Sequence, residues 1–242
     1  MKSIVTFILL SILSSSGIAD EISDEMSKRG YIESEVPEVG SEEWSLANRS
    51  FPSRHVALDE SLVISSDDEE QTNLVFDAGT VKYVGIDHGE FGGGLYLNEY
   101  KQNEKPFFSA NIRALVPING DLYIISGLAH MSFSGGAIHV IRDYRNPSTP
   151  IQITLLPDAP EAITIEDSWR GAKKIVIAGH SSLMEFTPDT DFEIVVFNAF
   201  WGSLYPTSIV QYKKSYYIGI RSGVAVVTPE FGRAKVRYFV AK

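Results

Sequence analysis

KIVIAGHSSLMEFTP (174–188) and SYYIGIRSGVAVVTP (215–229) can be laid over one another without a gap at an offset of 41 residues. Identical residues coincide in this overlay, among them Ser181 with Ser222, Thr187 with Thr228, and Pro188 with Pro229. A third stretch, DLYIISGLAHMSFSGGAIHVI (121–141), matches both of them more loosely. Tandem copies of this length, built from short apolar segments, indicate an all-β fold made of repeated sheets.

Each copy contains about four strand-like segments. The clearest hairpin is IRALVPI-NG-DLYIISG (112–127), where Asn119-Gly120 supplies the two left-handed residues of a type I′ turn. Further strands are predicted at 136–143 and 151–155, so that four strands occupy about 45 residues. Later copies start near 161 and 207, and YVGIDHGEFGGGLYLNE (83–99) looks like an earlier one. No segment has the periodicity of a long amphipathic helix.

Over about residues 74–240 the repeat resembles β-propeller proteins in general, without the motifs of a particular propeller family. The resemblance implies four to five blades, with five favoured, each an antiparallel four-stranded sheet. Ring closure then requires the first and last blades to pair, often through a strand borrowed from the other terminus. The rival architectures are an open or partial propeller and a β-sandwich of similar strand count. A sandwich would not naturally produce the gapless 41-residue copy.

The N-terminal segment is typical of a secretory signal. Lys2 precedes an apolar run over 4–13, and small residues lead to a cleavage site after Ala19. The predicted organisation is therefore a signal peptide (1–19), an acidic flexible leader (20–43) and a β-propeller domain (44–242). The leader has nine acidic residues against Lys28 and Arg29, without a sustained apolar period. After signal cleavage we expect no membrane span, because no other apolar run is long enough.

Charge and cysteine content exclude several function classes. The formal net charge of −10 disfavours nucleic acid as a partner, because an acidic surface repels phosphate backbones. The chain has no cysteine, which excludes thiol chemistry, disulfides and cysteine-ligated metals. A cysteine-free exported chain is typical of bacteria, so we expect a periplasmic or secreted protein. Neither a local histidine motif nor a complete calcium loop is found, so we expect no metal and no cofactor.

Polar side chains follow the second strand of each repeat. Asp87-His88 comes after YVGI, and the equivalent positions are His130, His180 and Arg221. Equivalent connections of successive blades lie on the same rim, so we expect these side chains to converge at the mouth of the central channel, together with Glu90. Histidine and glutamate there could act as acid and base, and Arg221 could anchor an anion. Ordinary loop packing or contact with a partner is the other interpretation.

Large aromatic side chains stand between two repeats in FNAFWGSLYP (197–206). If Phe200, Trp201 and Tyr205 point outward, they add a recognition surface for a protein or a sugar to the rim residues. If they point inward, they seal two blades together. The Pro106-Phe107-Phe108 stretch at the corresponding place favours inward packing.

The leading hypothesis is an exported, non-catalytic binding protein that recognises a protein or glycan of the cell envelope through one rim. An envelope inhibitor or immunity protein is a concrete version. The alternative is a propeller hydrolase or lyase acting on carbohydrate, with a catalytic set at the channel mouth composed of His88, Glu90, His130, His180 and Arg221. A structural envelope component, attached through the acidic leader, is a third interpretation.

Overall fold

The computed structural model describes residues 21–49, 52–66, 73–101, 103–167, 171–188 and 191–242. The predicted signal peptide (1–19) lies outside these ranges. With 56% strand and 11% helix, the fold is all-β, as the repeats predict. None of the helices within the described ranges has the length and apolar character that crossing a bilayer requires.

Two helices lie near the N-terminus of the described chain, α1 (21–28) and α2 (Glu42–Arg49). The Ser41 hydroxyl caps α2 by accepting a hydrogen bond from the backbone N–H of Trp44 at 3.0 Å. The strands are β1 (Tyr31–Ser34), β2 (His55–Leu58), β3 (Leu62–Ser65), β4 (Leu74–Asp77), β5 (Lys82–Asp87), β6 (Gly93–Leu97), β7 (Ile112–Ile118), β8 (Asp121–His130), β9 (Phe133–Ile141), β10 (Ile151–Leu156), β11 (Pro160–Asp167), β12 (Lys173–Gly179), β13 (Leu183–Thr187), β14 (Asp191–Val196), β15 (Ser208–Tyr212), β16 (Ser215–Ile220), β17 (Gly223–Glu230) and β18 (Arg233–Ala241). Single 3₁₀ turns lie at Gly89–Phe91 and Gly202–Leu204.

The strands form five antiparallel sheets in chain order: the first sheet (β2, β3), the second (β4 to β6), the third (β7 to β10), the fourth (β11 to β14) and the fifth (β15 to β18). The third and fourth sheets have the predicted four strands. Within the described residues the first and second have only two and three, although an isolated bridge between Leu95 and Phe108 extends the second. The fifth sheet gains β1, which pairs with β18 from Tyr31↔Ala241 to Ser34↔Tyr238.

The predicted hairpin turn is confirmed. Asn119 and Gly120 have φ values of 52° and 91°, and they join β7 to β8 through the pair Ile118↔Asp121. Positive φ at both turn residues matches the right-handed twist of the two flanking strands.

Successive sheets contact one another through their first strands. β4 contacts β7, β7 contacts β11, β11 contacts β15, and β15 contacts β2. Apolar clusters of buried side chains fill the spaces between the second and third, third and fourth, fourth and fifth, and fifth and first sheets. No such cluster joins the first sheet to the second in the described ranges. The arrangement is propeller-like, because a sandwich would bury the faces of two opposed sheets rather than bring first strands together in series.

Residues 21–34 differ from the predicted flexible leader. Ile22 and Met26, four positions apart on one face of α1, are 5% and 0% exposed, and Tyr31 is also buried. They pack against Phe239 and Tyr217 of the fifth sheet. An i, i+4 pair of apolar residues is enough to hold a two-turn helix against an existing sheet, but it is too short to register as a sustained sequence period.

The β8–β9 hairpin projects beyond the rest of the third sheet. β7 ends its pairing at Ile112↔Ser126, whereas β8 and β9 continue to pair from Gly127↔Gly136 to His130↔Phe133. Gly127 is required at the base of this projection, because a Cβ there would lie 2.4 Å from Cδ of Pro160. A glycine at this position therefore lets the Pro160 ring lie against the backbone of β8.

Candidate functional site

The turns after the second strands of the sheets lie at one edge of the molecule. We call this edge the rim and define it by residues 87–92, 130–133, 180–182 and 221–222. In an antiparallel meander the end of the second strand stands beside the start of the first. Side chains from the starts of β7 and β11 therefore join the rim.

Arg113 is the central charged residue of the rim. Its guanidinium bonds Asp87 Oδ2 at 2.5 Å and Glu161 Oε2 at 2.7 Å, and the three side chains are between 12% and 22% exposed. The contacts link the second, third and fourth sheets. Charge-assisted hydrogen bonds of this kind are strong because little water competes for the partners. Sequence reasoning missed Arg113 and Glu161, although each is the second residue of a first strand.

His180 approaches the same network. Its Nδ1 lies 3.8 Å from Glu161 Oε1, which is longer than a hydrogen bond, so the attraction is electrostatic. The Glu161 carboxylate raises the pKa of His180 above its usual value, against burial, which lowers it. His180 is thereby held closer to its protonated form at neutral pH.

His88 lines a rim cavity of about 320 Å³ together with Asp87, Arg113, Glu161 and Asn73. The His88 ring is exposed and stands edge-on to Tyr100, with the ring centroids 6.0 Å apart. Glu161 lines this cavity and also lies beside His180, so His88 and His180 belong to the same part of the rim.

Glu90 and His130 form a separate pair. Oε2 of Glu90 lies 3.0 Å from Nε2 of His130, and the two side chains are 47% and 40% exposed. The contact joins the Gly89–Phe91 turn to the projecting β8–β9 hairpin. The sequence predicts that the imidazoles converge at one place, but they lie in two neighbouring parts of the rim. His88 and His180 lie near Glu161, and His130 lies beside Glu90.

Arg221 occupies the rim of the fifth sheet. Its Nη1 donates to Asn48 Oδ1 at 2.7 Å, and its Cζ lies 4.1 Å from the centroid of the Tyr205 ring. The Tyr205 ring in turn is 6.2 Å from that of His180. Tyr205 is 44% exposed and has a φ of 51°, a conformation that costs energy for a bulky residue. Through these two contacts the Tyr205 ring connects His180, which follows the second strand of the fourth sheet, to Arg221 of the fifth sheet.

Trp201 and Phe200 are not surface binding residues, which corrects that part of the predicted site. Trp201 is 0% exposed, and its indole N–H donates to the Gly179 carbonyl at 3.2 Å. Phe200 packs edge-on against Trp201 and Tyr238 at centroid distances of 5.8 and 5.2 Å. Both rings seal the fourth sheet to the fifth, because burying large apolar side chains there is more favourable than leaving them in water. Of the three aromatic candidates, Tyr205 is exposed at 44%, Phe200 is half-buried and Trp201 is wholly buried.

Three exposed apolar side chains are neighbours of Glu90 or His130, either in the chain or across the hairpin. We call Phe91, Met131 and Phe133 the tip patch; they are 87%, 94% and 61% exposed. Phe91 belongs to the turn that carries Glu90, and Phe133 pairs with His130 across the hairpin. Sequence reasoning missed this patch, since an apolar residue in a turn gives no signal of its exposure. Adjacent exposed apolar side chains are a feature of interaction surfaces.

A buried carboxylate fixes the hairpin beside the fourth sheet. Asp158, 3% exposed, accepts hydrogen bonds from the Ser134 hydroxyl of β9, from the Ser181 N–H at 2.6 Å and from the Ser182 hydroxyl at 2.8 Å. Its hydrogen-bonding capacity is used within the fold, which assigns it a structural role. In the described ranges no group of three His, Asp or Glu residues is arranged to hold a metal ion.

No family model matches this chain, and no curated protein matches it. Among solved structures, the chain is similar to a catalytically inactive virginiamycin B lyase from Staphylococcus aureus with quinupristin, at 11% identity and a TM-score of 0.35. The match covers 78% of this chain and 56% of that chain, so the protein spans little more than half the length of that lyase structure.

Proposed function

We propose that this chain is an exported, non-catalytic binding protein, and that its partner in the cell envelope binds at the rim. The observation that carries the proposal is the contrast between two sets of rim side chains. Asp87, Arg113 and Glu161 satisfy one another, whereas the tip patch residues are 61% to 94% exposed. An interface needs exposed apolar anchors, and side chains already paired within the protein supply few reactive groups.

The tip patch favours a protein over a glycan. Phe91, Met131 and Phe133 offer apolar side chains around a single ionisable pair, Glu90 and His130. Aromatic and methionine side chains are enriched at protein interfaces, and a polar pair beside them supplies orientation. An envelope inhibitor or immunity protein fits this pattern. A periplasmic or secreted location accompanies the proposal, since the N-terminal segment is typical of an exported bacterial protein.

We propose further that the five sheets are blades of one propeller. Three observations support it: first strands contact each other in series, four apolar clusters lie between sheets, and β1 joins the last sheet to the N-terminal segment. A strand from one end of the chain in the sheet of the other end is how many propellers hold their termini together.

The test is capture of a partner from bacterial envelope extract, followed by measurement of its dissociation constant with the purified partner. Replacing Phe91, Met131 and Phe133 together by Ser should weaken binding about 100-fold, because removing two or three anchors costs a few kcal/mol. The matched control is Phe231→Ser. Phe231 is fully exposed in the β17–β18 turn, at the edge opposite the rim, and its replacement should leave affinity unchanged. Equal losses in both variants would contradict the proposal, as would the absence of any partner combined with turnover of a glycan.

One observation favours the alternative, a carbohydrate hydrolase or lyase. His180 has a raised pKa and joins, through Glu161, a cavity of about 320 Å³ that His88 also lines. A protonated His180 could donate a proton to a leaving glycosidic oxygen while His88 acts as base. Incubation with a polysaccharide panel tests this function. Turnover that disappears in His180→Gln would support it, and no turnover on any substrate would leave binding as the function.

A further inference from the structure

A second cavity, of about 700 Å³, lies on the outer side of the fifth sheet, between α2 and the segment that follows β1. We call it the Arg54 cavity. Its buried lining includes Ala47, Ser222 and Tyr238, each less than 9% exposed. Small-molecule sites in proteins have volumes of roughly 300–1,000 Å³. The cavity therefore has the size of a site, and its lining is distinct from that of the rim cavity beside Arg113.

Arg54 is a cation on the cavity wall without an acidic partner. Within the described ranges its Nε is buried without a hydrogen-bond partner, and no carboxylate there forms an ion pair with its guanidinium. Its Cζ lies 5.9 Å from the centroid of the Tyr31 ring. Arg113 and Arg221, by comparison, both bond acidic or amide side chains. A partly buried guanidinium gains most from an anion that its neighbours do not supply.

The backbone of Arg54 is held in place from both sides. Its N–H donates to the Ile220 carbonyl at 3.0 Å, and its carbonyl accepts a hydrogen bond from the Thr207 hydroxyl at 2.5 Å. The side chain thus projects from a fixed point at the start of β2. A preorganised cation binds an anion more tightly than a mobile one, because less conformational entropy is lost.

The rest of the cavity has the opposite charge and an apolar surface. Glu35, Glu38 and Glu43 are exposed lining residues, and no ion pair with them occurs in the described part of the chain. Val36 and Leu46, 44% and 53% exposed, supply apolar surface between them. Three carboxylates attract a cation and repel a ligand of high negative charge. A ligand that satisfies every part of the lining carries one carboxylate, one ammonium group and an apolar body.

We propose that the Arg54 cavity binds a short peptide with apolar side chains and free termini. The C-terminal carboxylate of the peptide pairs with Arg54, and its ammonium group faces Glu35, Glu38 and Glu43. The apolar side chains contact Val36 and Leu46. The cavity includes Ser222 of the rim but none of the tip patch residues, which belong to turns of the second and third sheets.

Calorimetric titration of the protein, expressed from its full-length sequence, tests the proposal with three probes: trileucine, trileucine amide and N-acetyl-trileucine. Trileucine should bind at millimolar concentration or below. The amide, which lacks the carboxylate, should bind about tenfold more weakly, because a hydrogen bond to a charged group is lost. The acetylated probe should be weaker by a smaller factor, since exposed carboxylates are screened by water.

Two variants and one control assign the charges. Arg54→Gln should abolish the difference between trileucine and its amide, and Glu43→Gln should reduce the difference between trileucine and its acetylated form. The matched control Arg233→Gln, at a side chain 83% exposed, should change neither. Circular dichroism confirms that each variant is folded, and Glu43→Gln still tests the site if Arg54→Gln is not. No binding of trileucine, or equal binding of acid and amide by the unaltered protein, would overturn the proposal.

Discussion

Arg113 and Glu161 lie 2.7 Å apart at their charged atoms, although 48 residues separate them in the chain. Each stands at the start of a first strand, so their contact joins the third sheet to the fourth at the rim. Asp87 completes the contact from the second sheet. One guanidinium therefore sets the relative position of three consecutive sheets beside the candidate site.

Replacing Arg113 by Met should destabilise the fold by about 3 kcal/mol. The substitution leaves Asp87 and Glu161 close together, little exposed and without a cation, which costs more than the lost attraction alone. Chemical denaturation of the variant measures the change in the free energy of unfolding. Arg233→Met, at an exposed side chain, is the control and should change it by less than about 0.5 kcal/mol. A similar small effect of Arg113→Met would show that the three-sheet contact contributes nothing.

The stability of the protein should depend on the protonation of His180. Glu161 raises the pKa of His180 above the usual 6.5, so the folded state binds the proton more tightly than the unfolded state. The resulting stabilisation is fully present below the unfolded pKa and is lost as pH rises through the folded pKa. NMR titration of the His180 ring should give a pKa above 6.5 that falls in Glu161→Gln.

His139 provides the internal comparison in the same titration. Burial lowers the pKa of His139, whose ring packs edge-on against Phe108 at 4.8 Å. Its contribution to stability has the opposite sign: it is present above the unfolded pKa and is lost as pH falls through the folded pKa. Glu161→Gln should leave the pKa of His139 unchanged. A His180 pKa at or below that of His139 would contradict the assigned environment of His180.

Trp201→Ala should destabilise the protein by about 4 kcal/mol, because it removes a wholly buried ring and leaves a cavity between the fourth and fifth sheets. Thermal unfolding followed by circular dichroism measures the loss. Phe91→Ala, at a side chain 87% exposed, should leave the melting temperature unchanged. If Trp201→Ala were as stable as Phe91→Ala, the indole would have to be a surface group after all.

Hydrogen exchange should show that residues 31–34 are part of the fifth sheet. Their amides should exchange more slowly on average than those of 35–38, since β1 pairs with β18 whereas 35–38 form neither helix nor strand. Mass spectrometry of peptic fragments measures the difference. Equal, fast exchange in both segments would support the flexible leader that the acidic composition predicts.

Local features of this fold could be predicted from the sequence, and contacts between sheets could not. The Asn119-Gly120 turn depends on the conformations that its own two residues favour, so its residue types are sufficient. The bond between Arg113 and Glu161 depends on how two sheets are positioned relative to each other, which no local pattern encodes. The same holds for Arg54, whose Nε has no hydrogen-bond partner among the described residues, since this depends on how the surrounding elements are placed.

The rim has one feature that the sequence predicts and one that it does not. The 41-residue repeat places His180 and Arg221 at equivalent positions, and the structure connects them through the Tyr205 ring. The exposure of Phe91 and Met131 depends instead on how far a turn projects beyond its sheet. Apolar residues in turns are ordinarily covered by neighbouring loops, so composition alone does not separate a covered side chain from an exposed one.

The most direct test of binding at the rim is the hydrogen-exchange footprint of the captured partner on this protein. Partner binding at the rim should protect the turns at 88–92 and 130–133, with no change at 231–232 on the opposite edge. Protection at 231–232 with unchanged exchange in both rim turns would contradict it.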